Sequence, residues 1–394
     1  MTLTSKPPFV RAPLTWLAYI MLAYTAFVQS TFGPVMPFLR NELNLSYTAG
    51  GLLPAAGASG LILSGIAGGW LARTWGRRVV FWSGSICLAL SAILLGLSHQ
   101  FAALIVAALG IGFSSSPTQV MIQALLSDQH GEQRSIALTE ANVAASLSTT
   151  LTPLVIGGLI GAGISWRAIA ILVIVFLSII GSVFHRQTIP NSTALPVRSD
   201  TNKRNLPASF WRYWTVLFLF VCAEMSIAVW GTEFFVGAVG LDRASAALAF
   251  GAFPAAMFIG RILGSRLTRY WSTVPLLIMA LGITFIGFPL FWLSRFPALN
   301  ILGLFITGLG IANHYPLTLA LAVGAAGEHT NEGSARASLA VGIALLIMPL
   351  LLGQLADQLG IQSAYGIVIV LLVVASVVVI GNYRQTRRQV AAEL

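Results

Sequence analysis

Apolar residues come in long runs along this chain, and polar residues gather in the short intervals between them. A helix needs about 20 mostly apolar residues to cross the hydrocarbon core of a bilayer. With that ruler the runs fall at Leu14–Leu39, Tyr47–Ala72, Val79–Ser98, Phe101–Leu126, Ile136–Gly161 and Trp166–His185, then at Phe210–Ala238, Ala244–Thr268, Val274–Ser294, Ala298–Ala325, Ala337–Leu359 and Ala364–Tyr383. Gly and Pro recur inside them, at Gly33-Pro34, Pro54, Pro117, Pro153, Pro254, Pro316 and Pro349. Transmembrane helices tolerate these residues because neighbouring groups satisfy the freed backbone. Arg186–Ser209 is the one long polar stretch, with Pro190, Pro196 and Pro207 among Ser, Thr, Asn, Lys and Arg, and it reads as a linker. The prediction is an all-α membrane protein of about twelve transmembrane helices, with one six-helix bundle over residues 1–185, a linker over 186–209 and a second bundle over 210–394.

Composition agrees. Hydrophobic residues make up 57% of the 394 and charged residues 9%, against about 25% charged in soluble domains. The surplus of apolar surface has to face lipid. The net charge of +10 would suggest an acidic or nucleic-acid partner in a soluble protein. Here the basic residues sit in the breaks. If the N-terminus is inside, 17 of the 22 Lys and Arg lie on the inner side, four on the outer side (Arg40, Arg167, Arg243, Arg295) and Arg261 within a run. That bias predicts cytoplasmic termini. Compact loops point to a cell inner (plasma) membrane. Trp16, Trp166, Trp211, Trp214, Trp271 and Trp292 stand near the predicted interfaces, where amphipathic rings belong. The first run is too long for a signal peptide. Cys87 and Cys222 lie inside apolar stretches and form no metal-ligand spacing.

The two halves echo each other. Pro153-Leu-Val-Ile-Gly157 and Pro349-Leu-Leu-Leu-Gly353 stand 196 positions apart, and so do Leu71-Ala-Arg73-Thr-Trp75 and Leu267-Thr-Arg269-Tyr-Trp271. Gly131-Glu-Gln-Arg134 recurs in type as Gly333-Ser-Ala-Arg336. Repeated bundles with a site at their interface, near the membrane midplane, are a transporter architecture. The repeat makes the two bundles pseudo-symmetric.

Between the second and third runs lies Gly69-Trp-Leu71-Ala-Arg73-Thr-Trp-Gly76-Arg77-Arg78. It resembles the G-x-L-a-D-r-x-G-R-R signature of the major facilitator superfamily, with Arg73 in the Asp position. The resemblance implies an alternating-access carrier whose first, fourth, seventh and tenth helices line the cavity. It also implies a cytoplasmic gate, expected here at Gly69, Arg73, Gly76, Arg77, Arg78, Arg134, Glu140 and Arg336, with Glu132 as the acid replacing the missing Asp. Thr152-Pro153-Leu-Val-Ile-Gly157-Gly158 departs from the G-P-x-x-G-G stretch of drug antiporters. Cys222-Ala-Glu224-Met-Ser and Gly310-Ile-Ala-Asn313-His314-Tyr-Pro316 loosely resemble fucose-permease-type sugar carriers.

An ionisable residue inside a span is costly and marks a pathway or a proton relay. Glu224 stands about 13 residues into its run, ~20 Å along a helix, which is close to the bilayer centre. It is the candidate for loading and releasing a proton. Gln29, Gln119, Asn142, Asn313 and His314 add polar groups within spans, and Tyr24 and Trp230 add aromatic walls. Together they suit a small polar or amphipathic solute. Glu233 reads as an interface carboxylate reached by water. Arg261 either snorkels to the headgroups or faces the cavity and holds an anion. The chain has no phosphate-cradling GxxxxGK[ST], and no HExxH, GxSxG or paired membrane aspartates. ATP-driven pumping and intramembrane catalysis are therefore not expected, nor is any cofactor or metal. The expected partners are a small-molecule substrate and the lipid bilayer, with no nucleic acid, for a monomeric chain. A drug or metabolite exporter working as a proton antiporter, and a non-transporting receptor on a carrier fold, are the alternatives.

Overall fold

The computed structural model describes residues 9–190 and 206–393. Most of the expected linker, with Arg198, Lys203 and Arg204, lies outside the described residues, as does Lys6. The described chain forms helices joined by turns. These are α1 (Pro13–Gln29), α2 (Phe32–Leu43), α3 (Tyr47–Trp75), α4 (Arg77–Leu97), α5 (Phe101–His130), α6 (Arg134–Gly161), α7 (Ile169–Phe184), α8 (Ala208–Gly237), α9 (Arg243–Phe250), α10 (Ala252–Leu267), α11 (Thr273–Leu293), α12 (Pro297–Ala325), α13 (Thr330–Leu359), α14 (Ile361–Ala364) and α15 (Gly366–Glu393).

Fifteen helices make twelve rods, because three of the expected spans are interrupted. The backbone stays right-handed helical at Ser30 and Thr31 between α1 and α2, at Gly251 between α9 and α10, and at Tyr365 between α14 and α15. Two of these breaks have a covalent cause. Pro34 has no N–H to give the Ser30 carbonyl one turn earlier, and Pro254 has none for Phe250. Nine described stretches are long and apolar enough to cross a membrane; one of them, Phe101–Gly161, is the α5–α6 pair joined by a turn of 3-10 helix at Gly131–Gln133. Several helices outrun their apolar runs. α6 begins at Arg134 rather than Ile136 and α13 at Thr330 rather than Ala337, because a polar helical turn beyond the lipid costs nothing.

Packing follows the repeat. Within the first half of the chain α5 packs against α3 and α4, and α6 against α1. Within the second half α12 packs against α10 and α11, and α8 against α12, α13 and α15. The halves meet through α3 on α13, α6 on α9 and α10, and α2 on α8. A shift of 196 residues carries α3 onto α9–α10 and α6 onto α13, so it exchanges the first two contacts. The sequence echo thus has a spatial counterpart.

At one end of the molecule the halves close on each other. A Cβ added to Gly51 would sit 2.6 Å from the Pro349 carbonyl oxygen, and one added to Gly353 would sit 2.6 Å from that of Tyr47. Only glycine lets α3 and α13 come this near. The Tyr47 and Thr48 N–H groups donate to the two oxygens of Asp357, at 2.7 and 2.8 Å. Asp357 of α13 therefore caps the N-terminus of α3 from the other half, where a carboxylate also favours the helix dipole. Arg40 of α2 pairs with Glu233 of α8, and its guanidinium lies over the Tyr47 ring, 3.4 Å from the centroid.

The opposite, arginine-rich end is built differently. Among the described residues its ion pairs stay within one half: Arg11–Glu140 at 2.5 Å, Arg77–Asp128 at 2.5 Å and Arg336–Glu332 at 2.7 Å.

Candidate functional site

A cavity of about 390 Å³ lies between the two halves, walled by α1, α2, α3, α5, α6, α8, α9, α10 and α13. Its surface is mostly apolar, with Phe32, Phe250, Phe253 and Phe258 among the wall residues. A few polar groups converge on it. The first half contributes Gln29, Ser30, Ser146 and Thr149, and the second contributes Glu224 and Arg261. Its wall residues Pro54 and Val229 lie three positions from Gly51 and one from Trp230, both of the closed end.

Each polar group is held by local structure. Gln29 ends α1, and its side-chain oxygen accepts from Gln119 Nε2 of α5 at 3.1 Å. Ser30, in the α1–α2 break, donates to Thr152 Oγ1 of α6 at 2.7 Å. Glu224 stands mid-way along α8. Among the described residues no donor lies within bonding distance of its carboxylate, and the ionisable groups that act on it are Arg261 of α10 and the Tyr315 hydroxyl of α12. Arg261 points into the cavity rather than to the headgroups, and reaches Ser146 Oγ across it at 3.4 Å. Among the described residues no carboxylate lies within ion-pair distance of Arg261. The cavity therefore holds one carboxylate and one guanidinium that act on each other without touching.

Other residues expected in the cavity stand elsewhere. Trp230 is fully buried at the closed end, donating Nε1 to the Pro349 carbonyl at 3.1 Å with its ring 5.7 Å from that of Tyr47. It seals rather than lines. Asn313 donates to the Gly260 carbonyl at 3.0 Å and binds α12 to α10. His314 is buried behind the wall, stacked on Phe220 at 4.3 Å, with Nε2 3.3 Å from the Thr284 hydroxyl. Tyr24 is buried against Phe176. Asn142 is exposed and bonds back to the Leu138 carbonyl at 2.8 Å.

Of the residues expected at the gate, Gly76 joins α3 to α4 with φ 79°, a left-handed value that suits glycine. Arg77 pairs with Asp128 of α5, while Glu132, expected as the acid replacing the missing Asp, is exposed. Glu140 accepts from Arg11 at 2.5 and 2.8 Å and from the Tyr19 hydroxyl at 3.0 Å. Arg336 pairs with Glu332 and sits over Trp211. Arg78 and Arg134 are exposed. The surroundings of Gly69 and of the Arg73 side chain lie outside what is described. Sequence reading missed the Arg40–Glu233 pair and the Asp357 cap. Arg40 stands on α2 rather than in an outer loop, because the helix that holds Pro34 continues past it to Leu43.

Comparison with known proteins agrees with this architecture. The Major Facilitator Superfamily model matches residues 16–332 and 234–393. The chain is 24% identical over 361 residues to an uncharacterized MFS-type transporter of Yersinia pestis, covering 87% of this chain and 89% of that one. It is 24% identical over 363 residues to a glucose/galactose transporter of Brucella abortus, covering 84% of each. The solved structure of a bacterial homolog of the human lysosomal transporter Spinster, in an inward-facing and occupied conformation, superposes with a TM-score of 0.77 at 16% identity, covering 96% of this chain and 98% of that one. A twelve-rod helical membrane fold, an internal repeat that relates its inter-half contacts and a family match along nearly the whole chain lead to one conclusion: this protein belongs to the Major Facilitator Superfamily of membrane transporters.

Proposed function

We propose that the protein is a secondary active carrier of a small organic solute, coupled to protons through Glu224. In this reading residues 1–185 and 210–394 are two bundles that rock about the central cavity, joined by the 186–209 linker. The observation that carries it is Glu224 itself. It is a carboxylate lining a largely apolar cavity, in the middle of a span, and among the described residues no hydrogen bond or ion pair holds its charge. Such a group carries a large cost for ionisation unless water or substrate reaches it, so its proton occupancy changes with the state of the cavity.

The inward charge bias orients the arginine-rich end to the cytoplasm of a cell inner membrane. The cavity then faces inward, with the Arg40–Glu233 and Asp357 contacts as the closed outer gate. Arg77, Asp128, Arg11, Glu140 and Arg336 rearrange when the inner gate closes. The chain works as a monomer, because the cavity is complete within one copy.

The test is purified protein in liposomes containing a pH-sensitive dye, challenged with sugars, organic acids and cationic drugs beside Glu224→Gln. Solute-dependent proton flux in the wild type and none in the variant supports the reading. Solute flux without proton flux in both removes Glu224 from coupling. Binding of a solute that never crosses makes the protein a receptor.

A further inference from the structure

We propose that the solute is a small organic monoanion, held at its charged end by Arg261 and along its apolar body by Phe250, Phe253 and Phe258. This inference rests on the carrier reading and specifies its substrate class.

Three observations carry it. First, Arg261 is the cation of the cavity wall, and among the described residues its one polar partner is the neutral Ser146 hydroxyl, at a long 3.4 Å. A guanidinium has five donors in a planar fork matched to carboxylate, sulfonate or phosphate oxygens, so most of its bonding capacity is free for a ligand. Second, Ser146 and Thr149 face it from α6, across the cavity, as neutral groups. An anion on Arg261 would thus be gripped from both halves at once, which is what a carrier needs if its substrate is to draw the halves together. Third, apart from Gln29, Ser30 and Glu224 the remaining wall is aromatic and aliphatic. It accepts a ring or short chain and offers too few donors and acceptors to replace the hydration of a sugar's many hydroxyls.

Charge counting then couples the anion to the proton. With Glu224 ionised and Arg261 positive, the empty cavity is neutral. Protonation of Glu224 alone leaves it at plus one, and binding of an anion alone leaves it at minus one. Proton and anion together restore neutrality. An uncompensated charge near the bilayer centre is penalised, so the two neutral forms are the ones that reorient. The consequence is one proton moved with each anion. The proton is taken up by the Glu224 carboxylate on one side of the membrane and released on the other, with no bond to the substrate.

The experiment measures binding by equilibrium dialysis to the full-length protein in detergent. The probes are benzenesulfonate, phenylacetate, the neutral phenylacetamide, glucose and the cation benzyltrimethylammonium. Each is tested on the wild type, Arg261→Lys, Arg261→Gln and Glu224→Gln, with thermal unfolding establishing that each variant is folded. The expected result is binding of the two anions by the wild type and by Glu224→Gln, weaker binding by Arg261→Lys, and at least a tenfold loss in Arg261→Gln. The amide, the sugar and the cation do not compete. Equal anion binding in Arg261→Gln and wild type overturns the assignment, and so does a folded wild type that binds glucose or the cation but neither anion. In both cases proton-coupled flux of some other solute in liposomes would leave the carrier reading standing; absence of flux for every solute class would remove that reading instead.

Discussion

Replacing Arg40 by Met should open the sealed end of the cavity. The Arg40 and Glu233 side chains are only 15% and 7% exposed, and among the described residues Glu233 Oε2 and Arg40 Nε have no hydrogen-bond partner. Deleting the cation strands a buried carboxylate, and breaking a buried pair this way costs about 3–5 kcal/mol. The cost falls on the closed conformation, because separation of α2 from α8 lets water reach Glu233. At about 1.4 kcal/mol per factor of ten, even the lower figure raises the population open at this end by roughly a hundredfold. The reporter is Val229→Cys, which lines the cavity, in a background with Cys87→Ser and Cys222→Ser. A membrane-impermeant maleimide applied on the Arg40 face should label it slowly with Arg40 present and faster by about that factor with Arg40→Met. The decisive control is Arg40→Met with Glu233→Met. Replacing both charges by apolar groups is often neutral or stabilising, so labelling should fall back to the starting rate. A double variant as open as the single one would refute the reasoning, since the effect would then come from lost packing of Arg40 on Tyr47 rather than from a stranded charge.

Other expectations follow from the same geometry. Asp357→Ala removes the cap shared by the Tyr47 and Thr48 amides and should cost about 0.5–2 kcal/mol of the closed state, read as a smaller rise in the same labelling rate. Arg77→Gln breaks a pair whose acid, Asp128, is half exposed; its effect on thermal unfolding should be at most about 1 kcal/mol. Asp242, in the loop before α9, accepts from the Ser245 side chain and from the Ser245 and Ala244 N–H groups, which hold its carboxyl below the usual carboxylate range. A lowered folded pKa means that this stabilisation is present above the ordinary carboxylate pKa and is lost as pH falls through the folded value. Unfolding curves in detergent from neutral to acid pH should therefore show a smaller acid-induced loss in Asp242→Asn than in the wild type.

How far the sequence was legible varied with the kind of question. Helix number and type were plain, because lipid demands long apolar runs and charge is confined to the breaks. The interruptions at Ser30 and Gly251 could have been read from Pro34 and Pro254, but the one at Tyr365 has no such mark. Which way a side chain points was much harder to read. In a soluble helix the polar stripe faces water, whereas in these helices the lipid-facing and protein-facing sides are both apolar. Nothing in the runs therefore distinguishes Trp230 in the seal, His314 behind the wall or Asn142 bonded back to its own helix from Glu224 in the cavity. Arg40–Glu233 and Tyr47–Asp357 join residues 193 and 310 positions apart, and only the packed rods bring them together. Arg77 meets Asp128 because α5 continues to His130, which carries Asp128 on its last turn beside the start of α4.

Alternating access is tested most directly by two distances measured in one sample. Spin labels at Asn44 and Gln362 span the halves at the Arg40 end, and labels at Gln129 and Ser334 span them at the arginine-rich end; all four positions are exposed. In liposomes, Arg40→Met should lengthen the first distance and shorten the second in the same fraction of molecules. Two distances that stay fixed, or that lengthen together, would contradict a carrier that opens one end as it closes the other.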